Sequence, residues 1–329
     1  MSDRLVDGYD LVIFDLDGVV YLIDKPIEGA AEAVSQLRSD GTAIAYATNN
    51  ASRRAADVAG LLNGMGVSAA PDEVLTSAGA AAARLADRVP AGAPVLVVGA
   101  EALRAEIRDV GLTPVERLED KPVAVVQGFG PDVGWKILAE AALAVRAGAL
   151  WVATNTDRTL PSPRGALPGN GSLVSVLRTA LDREPDLVVG KPAPALFETA
   201  AALSSSRRPL AVGDRLDTDI EGAVGAGMDS LLVLTGVSGP AELLGAPESR
   251  RPTYVAADLS GLFAPVEAAR IPLEGDEAGG WRLTDGRLDG SGSPVDALRL
   301  LAGFRWNGGE ARAGSDEARA LFEQWGLPA

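Results

Sequence analysis

Short apolar runs alternate with longer Ala- and Leu-rich stretches along most of the chain, and this alternation constrains the fold more than any other feature. The runs at 10–14, 42–47, 94–98, 122–126, 149–153, 209–212 and 230–234 read as strands. The stretches at 29–39, 53–65, 77–88, 133–147, 172–181, 193–203 and 217–226 carry helical patterning. Strands that are apolar throughout, each followed by a helix, call for a parallel sheet covered on both faces. The expected class is therefore α/β, with a Rossmann-like parallel-sheet core. Asp15 and Thr48 come directly after such runs, and Asn155 and Asp214 one residue further on. Open α/β sheets bind ligands beyond the carboxyl ends of their strands, so these residues are the first candidates for a site.

A chain of 329 residues carries a prior of about two domains. Strand–helix units between 78 and 183 interrupt the core pattern and are long enough to form an inserted α/β domain. The core is then discontinuous, 1–77 with 184–260. Beyond 260 the texture changes to Gly-rich, acidic, turn-laden sequence at 274–294, followed by helix patterns at 295–303 and 316–325. A small α/β extension at 261–329 is expected.

Composition removes many chemistries. There is no histidine, so Ser-His-Asp and Cys-His arrangements are excluded. There is no cysteine, which removes thiolate nucleophiles, disulfides and thiolate metal sites. A zinc site of ordinary make-up goes with them. Carboxylates, hydroxyls, lysine, arginine or a hard metal ion remain. The net charge of −15 argues against nucleic acid or an anionic membrane surface as partner. No apolar run reaches the length of a membrane span, and the first ten residues lack a signal pattern, so a cytoplasmic location is expected. Homo-oligomer formation stays open.

Four motifs carry the candidate chemistry. Asp15-Leu16-Asp17-Gly18 closes the first strand. Residues two apart on a strand share a face, and two carboxylates so close repel unless a cation sits between them or one is protonated. Magnesium, which takes one or two carboxylates plus water and substrate oxygens, suits them. Thr48-Asn49-Asn50 precedes a helix start, where hydroxyl, amide and backbone N–H groups can cradle phosphate or simply cap the helix. Gly190-Lys191-Pro192 places one of only four lysines at a helix start, where its charge opposes the helix dipole. Gly213-Asp214-Arg215-Leu216-Asp217-Thr218-Asp219 follows another strand, with capping and metal binding both open for its carboxylates.

In this order the four motifs resemble the haloacid dehalogenase superfamily of phosphotransfer enzymes, over about residues 9–253. The insertion between the second and third motifs resembles the large α/β cap of the NagD-like subclass, with Thr154-Asn155-Thr156-Asp157 and Pro168-Gly169-Asn170-Gly171-Ser172 matching its wording. The resemblance implies a nucleophile at Asp15 and a general acid/base at Asp17. It implies Mg²⁺ held by Asp15, Asp17 (through its main-chain carbonyl) and Asp214, and phosphate contacts from Thr48, Asn49 and Lys191. Asp219 would order a metal-bound water or Lys191, and Asp217 is read as a cap. Asn155, Asp157 and Arg158, after the cap strand, are the candidates for contact with the leaving group. The ion-pumping members of the superfamily carry threonine where this chain has Asp17, so the aspartate points to a hydrolase.

Within the subclass, the stretches at 141–151, 190–196, 212–222 and 232–237 resemble actinobacterial glycerol-3-phosphate phosphatases. That resemblance implies sn-glycerol 3-phosphate as substrate, a part in glycerophospholipid metabolism, and an extension that is an acetyltransferase-like remnant. Arg287-Leu288-Asp289-Gly290-Ser291-Gly292 matches the acetyltransferase pyrophosphate loop, but the segment is less than half of a complete acetyltransferase. Packing is the favoured role for it and for Trp281, Trp306 and Trp325. Alternatives are a broad p-nitrophenyl phosphate, phosphoglycolate or sugar phosphatase, a phosphotransferase to a second alcohol, and a regulatory phosphate-binding protein.

Overall fold

The strand Leu11–Phe14 is buried at all four positions and pairs in parallel with Pro209–Gly213. In the computed structural model, which describes residues 4–23, 25–272 and 274–328, the chain divides into two compact units. One is Met1–Ile44 with Ala201–Ala329, and the other is Ala45–Ala200.

In the first unit, Tyr254–Ala256, Asp229–Val233, Pro209–Gly213 and Leu11–Phe14 lie side by side in that order, all parallel. Parallel register with Val212 opposite Phe14 brings the carboxyl ends of two strands level, and Asp15 N–H donates to the Val212 carbonyl at 2.8 Å. Asp15 and Asp214 thus leave the sheet at neighbouring positions. The helical pattern at 217–226 forms in two parts. Leu216–Ile220 is a wide π-helical turn, in which Ile220 N–H reaches the Arg215 carbonyl, and Glu221–Gly225 is α-helix. The side chain of Asp219 accepts the Arg215 N–H at 3.1 Å, which holds the turn open at its start. Such turns concentrate at functional sites.

The C-terminal residues belong to the same unit. Glu277–Ala278, Trp281–Thr284 and Arg287–Gly290 form an antiparallel ribbon. The helix Pro294–Trp306 crosses over to Arg312–Ala313, which returns parallel to Arg287–Gly290. Proline in the first turn and the Ser293 hydroxyl accepting from Val295 N–H start that helix. One apolar cluster joins Leu232, Leu243 and Val255 to Trp281, Leu298, Leu301 and Phe322. Each fully buried leucine stabilises by about 1.5–3 kcal/mol, so this extension is part of the core. Trp306 donates to the Leu243 carbonyl at 3.1 Å and Trp281 to the Ser293 carbonyl at 3.0 Å, while Trp325 packs against the same cluster. Arg287–Gly290, the first part of the acetyltransferase-like pattern, is a ladder strand, with Arg287 Nε 3.0 Å from Asp289.

The second unit holds a five-stranded parallel sheet in the order Leu187–Val188, Leu150–Ala153, Ala124–Gln127, Pro94–Val98, Thr113–Val115. Strand alternation sorts its side chains. Val95, Val97 and Val126 enter a cluster with Leu85, Leu103 and Ile107, while Leu96, Val98, Val125 and Trp151 pack with Leu138, Val145 and Leu177 on the other face. Ala43–Thr48, which runs across the division, pairs in parallel with Val74–Thr76. Every strand expected from the sequence forms. Val74–Thr76, Thr113–Val115, Leu187–Val188 and Tyr254–Ala256 were not anticipated, since two or three residues carry no periodic signal, and neither was the helix Glu101–Asp109. Among the described residues no helix is long and apolar enough to cross a membrane.

Candidate active site

The first unit gathers carboxylates. Oxygens of Asp15, Asp214 and Asp219 all lie within 4.8 Å of one another, Asp214 and Asp219 being buried and Asp15 half-buried. Each is placed by its own local device. Asp15 continues a buried strand. Asp214 follows Pro209–Gly213, and its carboxylate accepts the Val237 N–H at 2.7 Å while its carbonyl accepts from Ser238 N–H at 3.0 Å. Asp219 sits in the π-helical turn. Asp17 is half-buried beside the cluster, with the Tyr21 hydroxyl 3.5 Å from its carboxylate and a turn closed by Gly18 N–H donating to the Tyr21 carbonyl at 2.8 Å. Asp217 forms an ion pair with the Arg215 guanidinium at 2.9 Å. The N–H of Arg215, at the start of the turn, is accepted by Asp219, a role expected of Asp217.

Three carboxylates this close in buried surroundings repel strongly. A hard divalent cation removes the repulsion, and an all-oxygen donor set suits magnesium. The residues therefore fit the metal. Gly18 and Gly236 make the close approach possible: a Cβ built on either would fall 2.4 and 1.9 Å, respectively, from Asp214 Oδ2. Gly18 also adopts a left-handed φ of 92°. Thr235 Oγ1 adds a 2.6 Å hydrogen bond to the Gly18 carbonyl. Tyr21, Thr235 and Gly236 were not singled out by sequence reasoning. The last two lie in the stretch 232–237, whose wording alone gave no hint of a role.

The second unit gathers amides, hydroxyls and a lysine. Thr48 is buried and its hydroxyl accepts from Asn50 N–H at 3.1 Å. Lys191, only 2% exposed, donates from Nζ to the Ala47 carbonyl at 2.9 Å. The Asn49 side chain donates to Asp157 and to the Lys191 carbonyl, and the Asn49 carbonyl accepts from Asn155. Asn155 is buried with its amide engaged, whereas Arg158 is exposed. The glycine-rich run at 169–172 binds its own chain: Gly171 N–H donates to the Asp157 carbonyl at 2.8 Å, and Ser172 Oγ to the Arg158 carbonyl at 2.7 Å.

A parallel α/β sheet with a three-carboxylate cluster beyond its strand ends suits a metal-dependent enzyme, and the chain belongs to the haloacid dehalogenase-like hydrolases. That family's model matches residues 12–113, and a second, HAD-hydrolase-like model matches 188–262. The D-glycerol 3-phosphate phosphatase of Mycobacterium tuberculosis is 46% identical, with 98% of this chain and 96% of the relative aligned. The crystal structure of a glycerol phosphate phosphatase from the same organism, in complex with magnesium, superimposes with a TM-score of 0.92 at 44% identity, covering 100% of both chains. The 4-nitrophenylphosphatase of Thermotoga maritima gives a TM-score of 0.73 at 31% identity, over 79% of this chain and 98% of its own.

Proposed function

We propose that the chain is a Mg²⁺-dependent phosphomonoester hydrolase that converts sn-glycerol 3-phosphate to glycerol and phosphate through an aspartyl-phosphate. The observation that carries the chemistry is the cluster of Asp15 and Asp214, after two neighbouring strands, with Asp219 from the π-helical turn. Asp15 attacks phosphorus in line; its carboxylate oxygen bonds to phosphorus as the ester P–O bond breaks. Asp17 gives its proton to the leaving alkoxide, then takes one from the water that attacks the aspartyl-phosphate and frees Asp15. Asp15, the Asp17 carbonyl and Asp214 would hold Mg²⁺, which when bound neutralises the phosphoryl oxygens. Asp219 would order a metal-bound water or Lys191. Thr48, the Asn49 N–H and Lys191 serve as phosphoryl-oxygen donors, and Arg158, exposed after the strand Leu150–Ala153, as a contact for the leaving group.

The substrate assignment rests on likeness to the M. tuberculosis phosphatase along nearly the whole chain, extension included. The domain boundaries that go with this reading are a core of 1–77 and 184–260, a cap of 78–183 and an extension of 261–329. The cytoplasm and the turnover of glycerophospholipid head groups are the setting it implies. A panel of phosphomonoesters assayed with Mg²⁺ tests the reading. Glycerol 3-phosphate should give the highest kcat/KM. A value no better than that for p-nitrophenyl phosphate or phosphoglycolate overturns the substrate, and no Mg²⁺-dependent turnover of any ester overturns the chemistry. Transfer of phosphate to added glycerol or glucose, at the expense of free phosphate, would make it a phosphotransferase.

A further inference from the structure

Asn49 stands where three segments of the second unit meet: the turn after Ala43–Thr48, the turn after Leu150–Ala153, and Gly190-Lys191. Its side-chain nitrogen donates to both carboxylate oxygens of Asp157, each at 3.1 Å, and to the Lys191 carbonyl at 3.0 Å. Acceptors on both sides fix which end of the amide carries nitrogen. Its main-chain carbonyl accepts from Ser77 Oγ at 2.7 Å and from Asn155 Nδ2 at 2.6 Å. Asn155 is itself held: its side-chain oxygen accepts the Asp157 N–H at 3.2 Å, and its carbonyl accepts from Asn170 Nδ2 at 2.7 Å. Gly190 lets the segments close up, since a Cβ there would lie 2.5 Å from both Asn49 Oδ1 and the Thr154 carbonyl.

Anchoring the side chain and the carbonyl of one residue removes the rotations about its Cα, and the direction of its N–H is then set as well. The bonds at Asn49 are part-buried, and what such a set of hydrogen bonds supplies is fixed geometry rather than much stability. We infer that Asp157 and Asn155 are positioning residues: through Asn49 they aim the phosphate-binding turn and tie it to the end of the strand Leu150–Ala153. Asp157 also accepts the Gly171 N–H through its carbonyl, next to Arg158, so the loop expected to meet the leaving group and the turn expected to meet phosphate share one residue. The inference rests on the proposed role of Thr48, Asn49 and Lys191 as phosphate contacts.

The test compares Asp157→Ala and Asp157→Asn in the full chain, with p-nitrophenyl phosphate and glycerol 3-phosphate as substrates and inorganic phosphate as inhibitor. Asp157→Ala should lower kcat/KM for both esters by a similar ~10–100-fold and weaken phosphate inhibition, the scale expected when reacting groups are displaced slightly. Asp157→Asn keeps an acceptor for Asn49 and should recover activity to within about 3-fold of wild type. A loss confined to glycerol 3-phosphate, with phosphate inhibition unchanged, would make Asp157 a leaving-group contact and overturn the inference. Full activity of Asp157→Ala on both esters would overturn it too. Should Asp157→Ala not fold, Ser77→Ala, which removes one donor to the Asn49 carbonyl, should weaken both esters and phosphate inhibition in parallel. A wild type inactive on every ester defeats the phosphatase reading instead, and is told apart because these comparisons start from an active wild type.

Discussion

Asp214 occupies the space that a side chain on Gly236 would need: a Cβ there would stand 1.9 Å from Asp214 Oδ2 and 2.5 Å from its Cγ. The neighbouring Val237 N–H reaches the same oxygen at 2.7 Å. Gly236→Ala must therefore push the carboxylate aside. Magnesium affinity, measured by titration calorimetry, should fall at least ~10-fold while the circular dichroism spectrum stays native. Unchanged affinity would mean that Asp214 is not a ligand.

Replacing Asp15, the proposed nucleophile, and Asp17, the proposed acid/base, should separate the two half-reactions. Asp15→Asn removes the attacking oxygen anion and should abolish turnover, a loss of at least ~10⁴-fold. Asp17→Asn can neither protonate the alkoxide nor activate water, and should leave at most slow formation of phosphoenzyme. Stopped-flow release of p-nitrophenolate, with mass spectrometry of the quenched protein, reads both. Appreciable Mg²⁺-dependent activity in Asp15→Asn would rule out the aspartyl-phosphate route.

The extension should not be separable from the sheet it packs on. Leu300, in the helix Pro294–Trp306, is buried in the cluster that also holds Leu232 and Val255. Leu300→Ala should cost about 2–5 kcal/mol. Calorimetry should still show one transition for the first unit. A second transition, with the sheet melting as in wild type, would mark the extension as an independent module.

Asp10, at the amino end of the first strand, should supply a pH-dependent part of the stability. Its carboxylate accepts from Ser206 Oγ and from the N–H groups of Arg207 and Arg208, at 3.0 and 3.1 Å. The Ser206 hydrogen bond first, and the two backbone donors after it, hold its carboxyl below the ordinary value of 3.8. A depressed carboxyl stabilises the fold above the ordinary pKa, and that contribution is lost as pH falls through the lower folded value. The Tm difference between wild type and Asp10→Asn should be fully present at neutral pH and shrink below pH ~4. A difference independent of pH would show that the ionised form is not what the turn at 206–208 binds.

Much of this was legible beforehand, and the physical reasons differ by element. Strands such as Pro94–Val98 announce themselves because apolar residues on both faces of a parallel strand leave an unbroken run. Helices such as Trp135–Arg146 show their period over a dozen residues. Asp15 and Asp214 stand out because they lie at the carboxyl ends of such runs, where open α/β sheets bind ligands, in motifs whose order resembles one superfamily. Thr235 and Ser77 leave no sequence signal, since each acts through a hydrogen bond to a residue brought near by the fold, and Tyr21, only four residues from Asp17, belongs to no motif. Asn155 and Asp157 were singled out as leaving-group contacts, and their bonds to Asn49 appear only in three dimensions. The π-helical turn at Leu216–Ile220 is not distinguished from plain helix in the sequence, because one turn is too short to show a period of its own.

The sequence by itself determined the α/β class, the strand ends where chemistry sits, and the kind of chemistry available to a chain without histidine or cysteine. Those are properties of local pattern and residue type. Only the tertiary structure decided that Asp219 joins Asp15 and Asp214, that Asn49 is locked by Asp157 and Asn155, and that the C-terminal extension shares its core with the sheet. Each of these depends on residues far apart in the chain meeting within a few ångströms, and strand register and close approach at glycine set such distances in ways that one-dimensional spacing does not encode.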